Sequence, residues 1–181
     1  DNRDLLRRHL PMPANTMTDF VQSGTIIGRE LILCLDTHRT GEDRGELCSQ
    51  RRDWLIAILK EHADLPTYLF LHHPPMQLGL PMQDTDNMAD GEDFLDLIST
   101  HHSVRYMFVG HVHRPISGVV RGIPFSTMRS VLYQAPAPYP LWDWSSFLPS
   151  KEAPQIGVLT LNAGDVTLQY EQFCGFATGM E

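Results

Sequence analysis

The chain has 181 residues, 42% of them hydrophobic, and a formal net charge of −8. That is enough apolar material for the core of one domain, and the acidic balance excludes a nucleic-acid polymer as the main partner, since proteins that track phosphate backbones present a basic face. No run of about 18 apolar residues occurs, so no membrane-spanning helix and no membrane partner are expected.

The opening "DNRDLLRRHL" begins without Met and is no signal peptide, which suggests a piece of a longer chain. "RDLLRRHL" predicts a short helix ended by "PMP". "TDFVQSG" and "RELILCLDT" predict strands, the second buried. After the turn-rich "GEDRG", apolar residues at Leu47, Trp54, Leu55, Ile58 and Leu59 predict an amphipathic helix over 47–62, with Arg51 and Arg52 on its surface. "TYLFLHHPP" predicts a strand stopped by two prolines, "DGEDFLDLISTHH" a helix buried through Phe94, Leu95 and Ile98, and "VRYMFVG" a further strand. This strand–helix–strand–helix–strand order implies βαβ units and a parallel sheet.

The last third changes character. "GVVRGIPFSTM" predicts two short strands about "RG", and "IGVLTLNAGDVTLQYEQF" a hairpin about "NAGD". Between them lies a long Pro-rich loop with Tyr139, Trp142 and Trp144, suited either to shaping a substrate pocket or to packing at a subunit interface. Cys34, Cys48 and Cys174 are an odd number without ligand spacing. Cys34 is expected to be buried, no disulfide framework is expected, and a reducing, cytoplasmic compartment fits.

Two predicted strands end in histidines, His72–His73 and His111/His113. Residues two apart on a strand point the same way, so His111 and His113 are expected to face one point. Ligands bind beyond the carboxyl ends of strands in open α/β sheets, and neutral imidazole is a frequent metal ligand. Together these place a Zn-, Mn-, Fe- or Ni-type site at one sheet edge. The remaining histidines, His9, His38, His62, His101 and His102, are expected to face solvent.

"LHHPP" followed about forty residues later by "GHVHR" resembles the last two motifs of the calcineurin-like metallophosphoesterases, within their cyclic-nucleotide and glycerophosphodiester phosphodiesterase branch. The resemblance covers most of residues 1–135. It implies an α/β fold, a β-sandwich flanked by helices, of which residues 1–181 are one domain forming the C-terminal two-thirds with the first strands missing. It implies hydrolysis of a small phosphodiester by a hydroxide held between two divalent metals (Mn, Fe or Zn). His72 and His111 would bind one metal and His113 the other. His73 would sit at the rim as a substrate contact or a support, and Gly110 would let the backbone turn tightly.

The family's carboxylate motifs, D-x-H, GD and GNHD, precede HHPP. The chain's own D-x-H, Asp36 and His38 of "LCLDTHR", has no GD or GNH between it and HHPP, so it aligns better with a non-ligating LDT after GNHD. Asp1 then matches the last aspartate of GNHD. A rival register puts Asn2 on the asparagine ligand but places Asp and Arg where the family has Gly and His. The remaining ligands would lie upstream, leaving one metal or none for this chain. Three readings follow: a phosphodiesterase as the parent protein, a truncated non-catalytic metal-binding or oligomerisation module, and a mononuclear hydrolase on His72, His111 and His113. Missing strands would leave central edges and apolar faces exposed, so a homo-oligomer is expected.

Overall fold

Along residues 31–35, Leu31, Leu33 and Leu35 alternate with Ile32 and Cys34, and a strand sends the two sets to opposite faces. The computed structural model describes residues 2–162 and 164–173. The expectations for Asp1 and Cys174 lie outside them. In chain order the elements are α1 (Arg3–His9), β1 (Ser23–Ile27), β2 (Glu30–Cys34), α2 (Ser49–Glu61), β3 (Thr67–Leu71), α3 (Gly91–Ser99), β4 (Val104–Val109), β5 (Ser117–Val120), β6 (Ile123–Ser126), β7 (Gln155–Asn162) and β8 (Asp165–Gln172).

Six strands form one sheet in the order β1-β2-β3-β4-β6-β5. β2, β3, β4 and β6 run parallel, with β1 and β5 antiparallel at the two edges. The expected βαβ units are present. The central strands are paired on both sides, contrary to the expectation of exposed central edges, because β1 and β6–β5 supply the ladders.

One face of the sheet is dry. Leu31, Leu33, Leu69, Leu71, Met107 and Val109 pack in one cluster with Leu55 and Leu59 of α2 and with Phe94, Leu95 and Ile98 of α3. On the other face Phe70 stacks on Phe108 at 4.6 Å, and Phe108 on Tyr106 at 4.7 Å. The β7–β8 hairpin forms a separate two-stranded sheet. It is tied to the first by the Tyr170 hydroxyl, which donates to the Thr127 carbonyl at 3.1 Å. A cavity of about 420 Å³ lies among Phe70, Phe108, Leu159 and Leu168. The whole is a mixed α/β fold, a sheet flanked by helices in the manner of a metallophosphoesterase sandwich.

Several boundaries differ from the sequence reading. "TDFVQ" is not a strand; pairing starts at Ser23, where β1 meets Cys34 of β2. Cys34 is exposed rather than buried, since alternation turns it to the open face. α2 begins at Ser49, leaving Leu47 before it.

Arg51, expected on the surface, is 2% exposed. It shares the inner stripe of α2 with Leu55 and Leu59, four and eight residues on, and is tolerated there because it meets Asp36. Arg3 reaches the same carboxylate with Nε–Oδ2 at 2.6 Å, while the N–H groups of Val21 and His38 donate to its oxygens. Both guanidinium groups also lie over the Phe20 ring, at 5.1 and 4.7 Å. This network moors α1, which has no buried residue of its own, to the end of β2. Asp36→Asn removes the negative charge from two guanidinium groups, one of them buried, and is expected to cost about 3 kcal/mol in urea denaturation. An unchanged midpoint would show that the pair contributes nothing net.

Candidate metal centre

β3 and β4 stop at the same level. Leu71 is in register with Val109, and the Gly110 N–H donates to the Leu71 carbonyl at 3.0 Å. On the other side of β3, the Leu35 N–H donates to Phe70 at 2.8 Å. Thr37, His72–His73 and Gly110–His113 therefore leave three adjacent parallel strands at one sheet edge, where such folds bind ligands.

His111 and His113 do not lie on the strand, as alternation predicts, but in a turn beyond it. Both take left-handed backbone, with φ of 72° and 50°. Each such residue costs on the order of 1 kcal/mol and persists only where its surroundings hold it. Here Val112 between them is fully buried, its N–H donates to the Gly110 carbonyl at 2.9 Å, and its own carbonyl accepts from Gln83 Nε2 at 3.2 Å.

The turn separates the two rings. His111 joins His72 and His73, with ring centroids 5.3, 5.0 and 4.8 Å apart pairwise. One ligand nitrogen from each of the three can be chosen so that all lie within 4.8 Å of one another. His113 instead packs on Tyr133 at 4.6 Å. All four imidazoles still line one cavity of about 500 Å³, together with His38, Asp43, Gln83, Asp86 and Trp144.

His73, expected at the rim, is 3% exposed. Its Nδ1 is 2.8 Å from Thr37 Oγ1, which leaves Nε2 for an ion. A Cβ on Gly45 would stand 2.5 Å from the His73 ring, so only glycine lets that loop close over it. Gly110 acts similarly. Its backbone is not left-handed; a Cβ there would lie 2.9 Å from His72 Nδ1, so the missing side chain makes room for the imidazole. Thr37 and Gly45 were not singled out from sequence, although "LDT" and "GEL" contain them. Their roles depend on contacts with His73 that no local pattern encodes, that of Thr37 reaching across 36 residues.

Asp36 is not aimed at this site. Its oxygens are taken by Arg3 and by main-chain donors, and although burial alone would raise its pKa, the Arg3 and Val21 hydrogen bonds hold it below the ordinary value.

Burial is the main cause of depressed pKa values at the imidazoles. His72, although partly open to solvent, falls to about 4, His111 to about 4 and His73 to about 3, with neighbouring imidazoles adding to the shift. All three are neutral at pH 7, the form that binds metal. Three neutral nitrogens fit one Zn-like ion with an open position. The cluster contains no carboxylate among the described residues, so a bridged pair of ions is not evident.

No family model matches the chain. A probable cyclic nucleotide phosphodiesterase of Rhodopseudomonas palustris is 36% identical over 137 residues, 74% of this chain and 50% of that protein. The chain is homologous to the calcineurin-like phosphodiesterases. A cAMP/cGMP dual specificity phosphodiesterase of Mycobacterium tuberculosis is 32% identical over 133 residues, 74% of this chain and 41% of its own length. A glycerophosphodiester phosphodiesterase of Enterobacter lignolyticus is 30% identical over 105 residues, 58% of this chain and 38% of its own length. The chain thus spans half or less of these relatives, which fall in the cyclic-nucleotide and glycerophosphodiester branch.

Two outcomes follow. An unfolded chain binds protons on histidine near pH 6.5, whereas these rings refuse them until about pH 4 or below. Their contribution to stability is therefore complete above pH 6.5 and lost as pH falls through that window. The urea midpoint of metal-free protein should drop between pH 7 and pH 5, with a shallower drop in His73→Gln. Gly110→Ala should push the His72 ring aside and weaken zinc binding about tenfold by calorimetry, the size of a lost supporting contact.

Proposed function

We propose that this fold serves metal-dependent hydrolysis of small phosphodiesters, either 3′,5′-cyclic nucleotides or glycerophosphodiesters. The observation that carries the reading is the neutral imidazole cluster at the carboxyl ends of two adjacent parallel strands, β3 and β4. In this proposal His72 and His111 hold one ion and His113 contributes to a second, of Mn, Fe or Zn type. When bound, a divalent cation supplies Lewis acidity toward the phosphoryl oxygens and makes water a nucleophile at neutral pH. The chain's own residues do the rest. Thr37 orients the His73 ring, Gly45 keeps it in place, and Gln83 fixes the turn that carries His111 and His113.

A second reading is favoured by the lack of a carboxylate in the cluster among the described residues. In it, this chain holds a single ion and does not turn over. Plasma mass spectrometry of protein purified without chelator should find at most one metal per chain. The loaded protein is then assayed on cyclic AMP, glycerophosphocholine and bis(p-nitrophenyl) phosphate. Hydrolysis abolished by chelation and reduced at least about 100-fold in His111→Ala supports the phosphodiesterase reading. Hydrolysis indifferent to both overturns it, and one bound ion without hydrolysis establishes the module.

We further propose a cytoplasmic homo-oligomer. No described helix is long and apolar enough to cross a membrane, Cys34 and Cys48 are free, and Ile26 and Ile27 at the β1 edge are 49% and 62% exposed. A monomer by light scattering would remove the oligomer.

A further inference from the structure

β1 is the last strand on its side of the sheet, and among the described residues it pairs with β2 alone. Which of its main-chain groups face outward follows from the next ladder. The Leu31 N–H donates to the Pro66 carbonyl and the Leu35 N–H to Phe70, both on the β3 side. Glu30, Ile32 and Cys34 therefore turn their main-chain groups toward β1, where their register partners are Ile27, Thr25 and Ser23. Gly24 and Ile26 are left pointing away from the sheet.

The outer edge is closed at one of these two residues and open at the other. The Gly24 carbonyl accepts from the Asn15 side-chain amide, and Ser23 and Gly24 are both buried. The Ile26 N–H and C=O have no partner among the described residues, and Thr25, Ile26 and Ile27 are all exposed. Edge strands are ordinarily guarded by a charge, a proline, a bulge or a covering loop. Thr25–Ile27 has no such guard. No charged residue or proline lies between Ser23 and Gly28, and the β1–β2 register runs without a shift.

This open stretch is complementary to itself. Turned about a two-fold axis through Ile26, perpendicular to the sheet, it pairs antiparallel with a second copy. Ile26 then meets the partner's Ile26, and Thr25 of each copy meets Ile27 of the other. Each side chain keeps its own face of the joined sheet. Ile26 lies on the α2 side, since its register partner Leu31 belongs to the core that α2 covers, while Thr25 and Ile27 lie on the opposite side. All three contacts join β-branched side chains, which pack well across strands, and none sets like charges together. An axis through Thr25 would instead need the Gly24 carbonyl, which Asn15 already holds.

We infer that the open edge of β1 is the dimer interface of this chain, two copies joining their sheets across Ile26. The inference rests on the homo-oligomer reading, whose surface it names, and is independent of the phosphodiesterase reading.

Ile26→Lys and Ile26→Glu each set like charges opposite one another. Each is expected to raise the dimer dissociation constant at least about tenfold by light scattering. Mixed in equal amounts, the two variants are expected to dimerise again, because opposite charges then face each other. Only pairing of this position with itself gives that rescue. Ile26 is 49% exposed, so neither variant buries a charge in the monomer, and wild-type circular dichroism is checked first. Ile26→Cys is made in a Cys34→Ser, Cys48→Ser, Cys174→Ser background and oxidised with glutathione disulfide. It is expected to cross-link two chains, since Cα atoms opposed at about 5.5 Å lie within disulfide reach. Val119→Cys, on the far edge and 68% exposed, is expected to give no cross-link. A wild-type monomer at every concentration overturns both the interface and the homo-oligomer reading. A dimer that survives both charged variants, a mixture that fails to associate, or cross-linking at Val119 in place of Ile26 overturns the interface alone.

Discussion

The site depends on two parallel strands ending at one level. Had the β3–β4 register slipped by a residue, His72 would have lost its place beside Gly110 and every following side chain would have changed face. The Gly110–Leu71 hydrogen bond, the last rung of that ladder, fixes the level. The rest is local response to it. Gly110 stays bare so that His72 can cross it, the next residues turn left-handed to bring His111 round, and Val112 is driven into the core as the anchor of that turn.

A second constraint operates at the end of β2, where the chain must leave the sheet without leaving polar groups unpaired. Asp36 receives two main-chain N–H groups and two guanidinium groups there. The residue beside it, Thr37, reaches across to His73. Adjacent residues thus do separate work, one closing the scaffold and the next orienting a ring in the cluster. An aspartate two residues before a histidine has the spacing of a metal pair, yet here its charge is spent on arginines.

Much of this was legible in the residues. Apolar runs and i, i+3, i+4 spacing located α2, α3, β2, β3 and β4, and the βαβ order implied their parallel pairing, because those patterns are local. Histidines at two strand ends marked the sheet edge. Three things were not legible. Arg51 looked like a surface charge because its partner is 15 residues upstream in another element. The geometry of His111 and His113 was misjudged because alternation holds only while the strand lasts, and β4 stops at Val109. The burial of His73 depends on Thr37 and Gly45, whose contacts with it arise only when the strands assemble.

The low proton affinity of the three imidazoles has a consequence for how the centre is loaded. Most histidine sites exchange protons for metal, so the measured heat of binding contains the ionisation of whichever buffer takes them up. Here desolvation and the neighbouring imidazoles hold the pKa values of His72, His73 and His111 below the ordinary histidine value, so the small protonated fraction an ordinary imidazole keeps at neutral pH is absent. An ion bound at these rings would have almost no protons to displace at neutral pH, and the difference from ordinary imidazoles would widen as the medium turned mildly acidic. The desolvation that folding imposes on the rings has removed one competitor for the metal before the metal arrives.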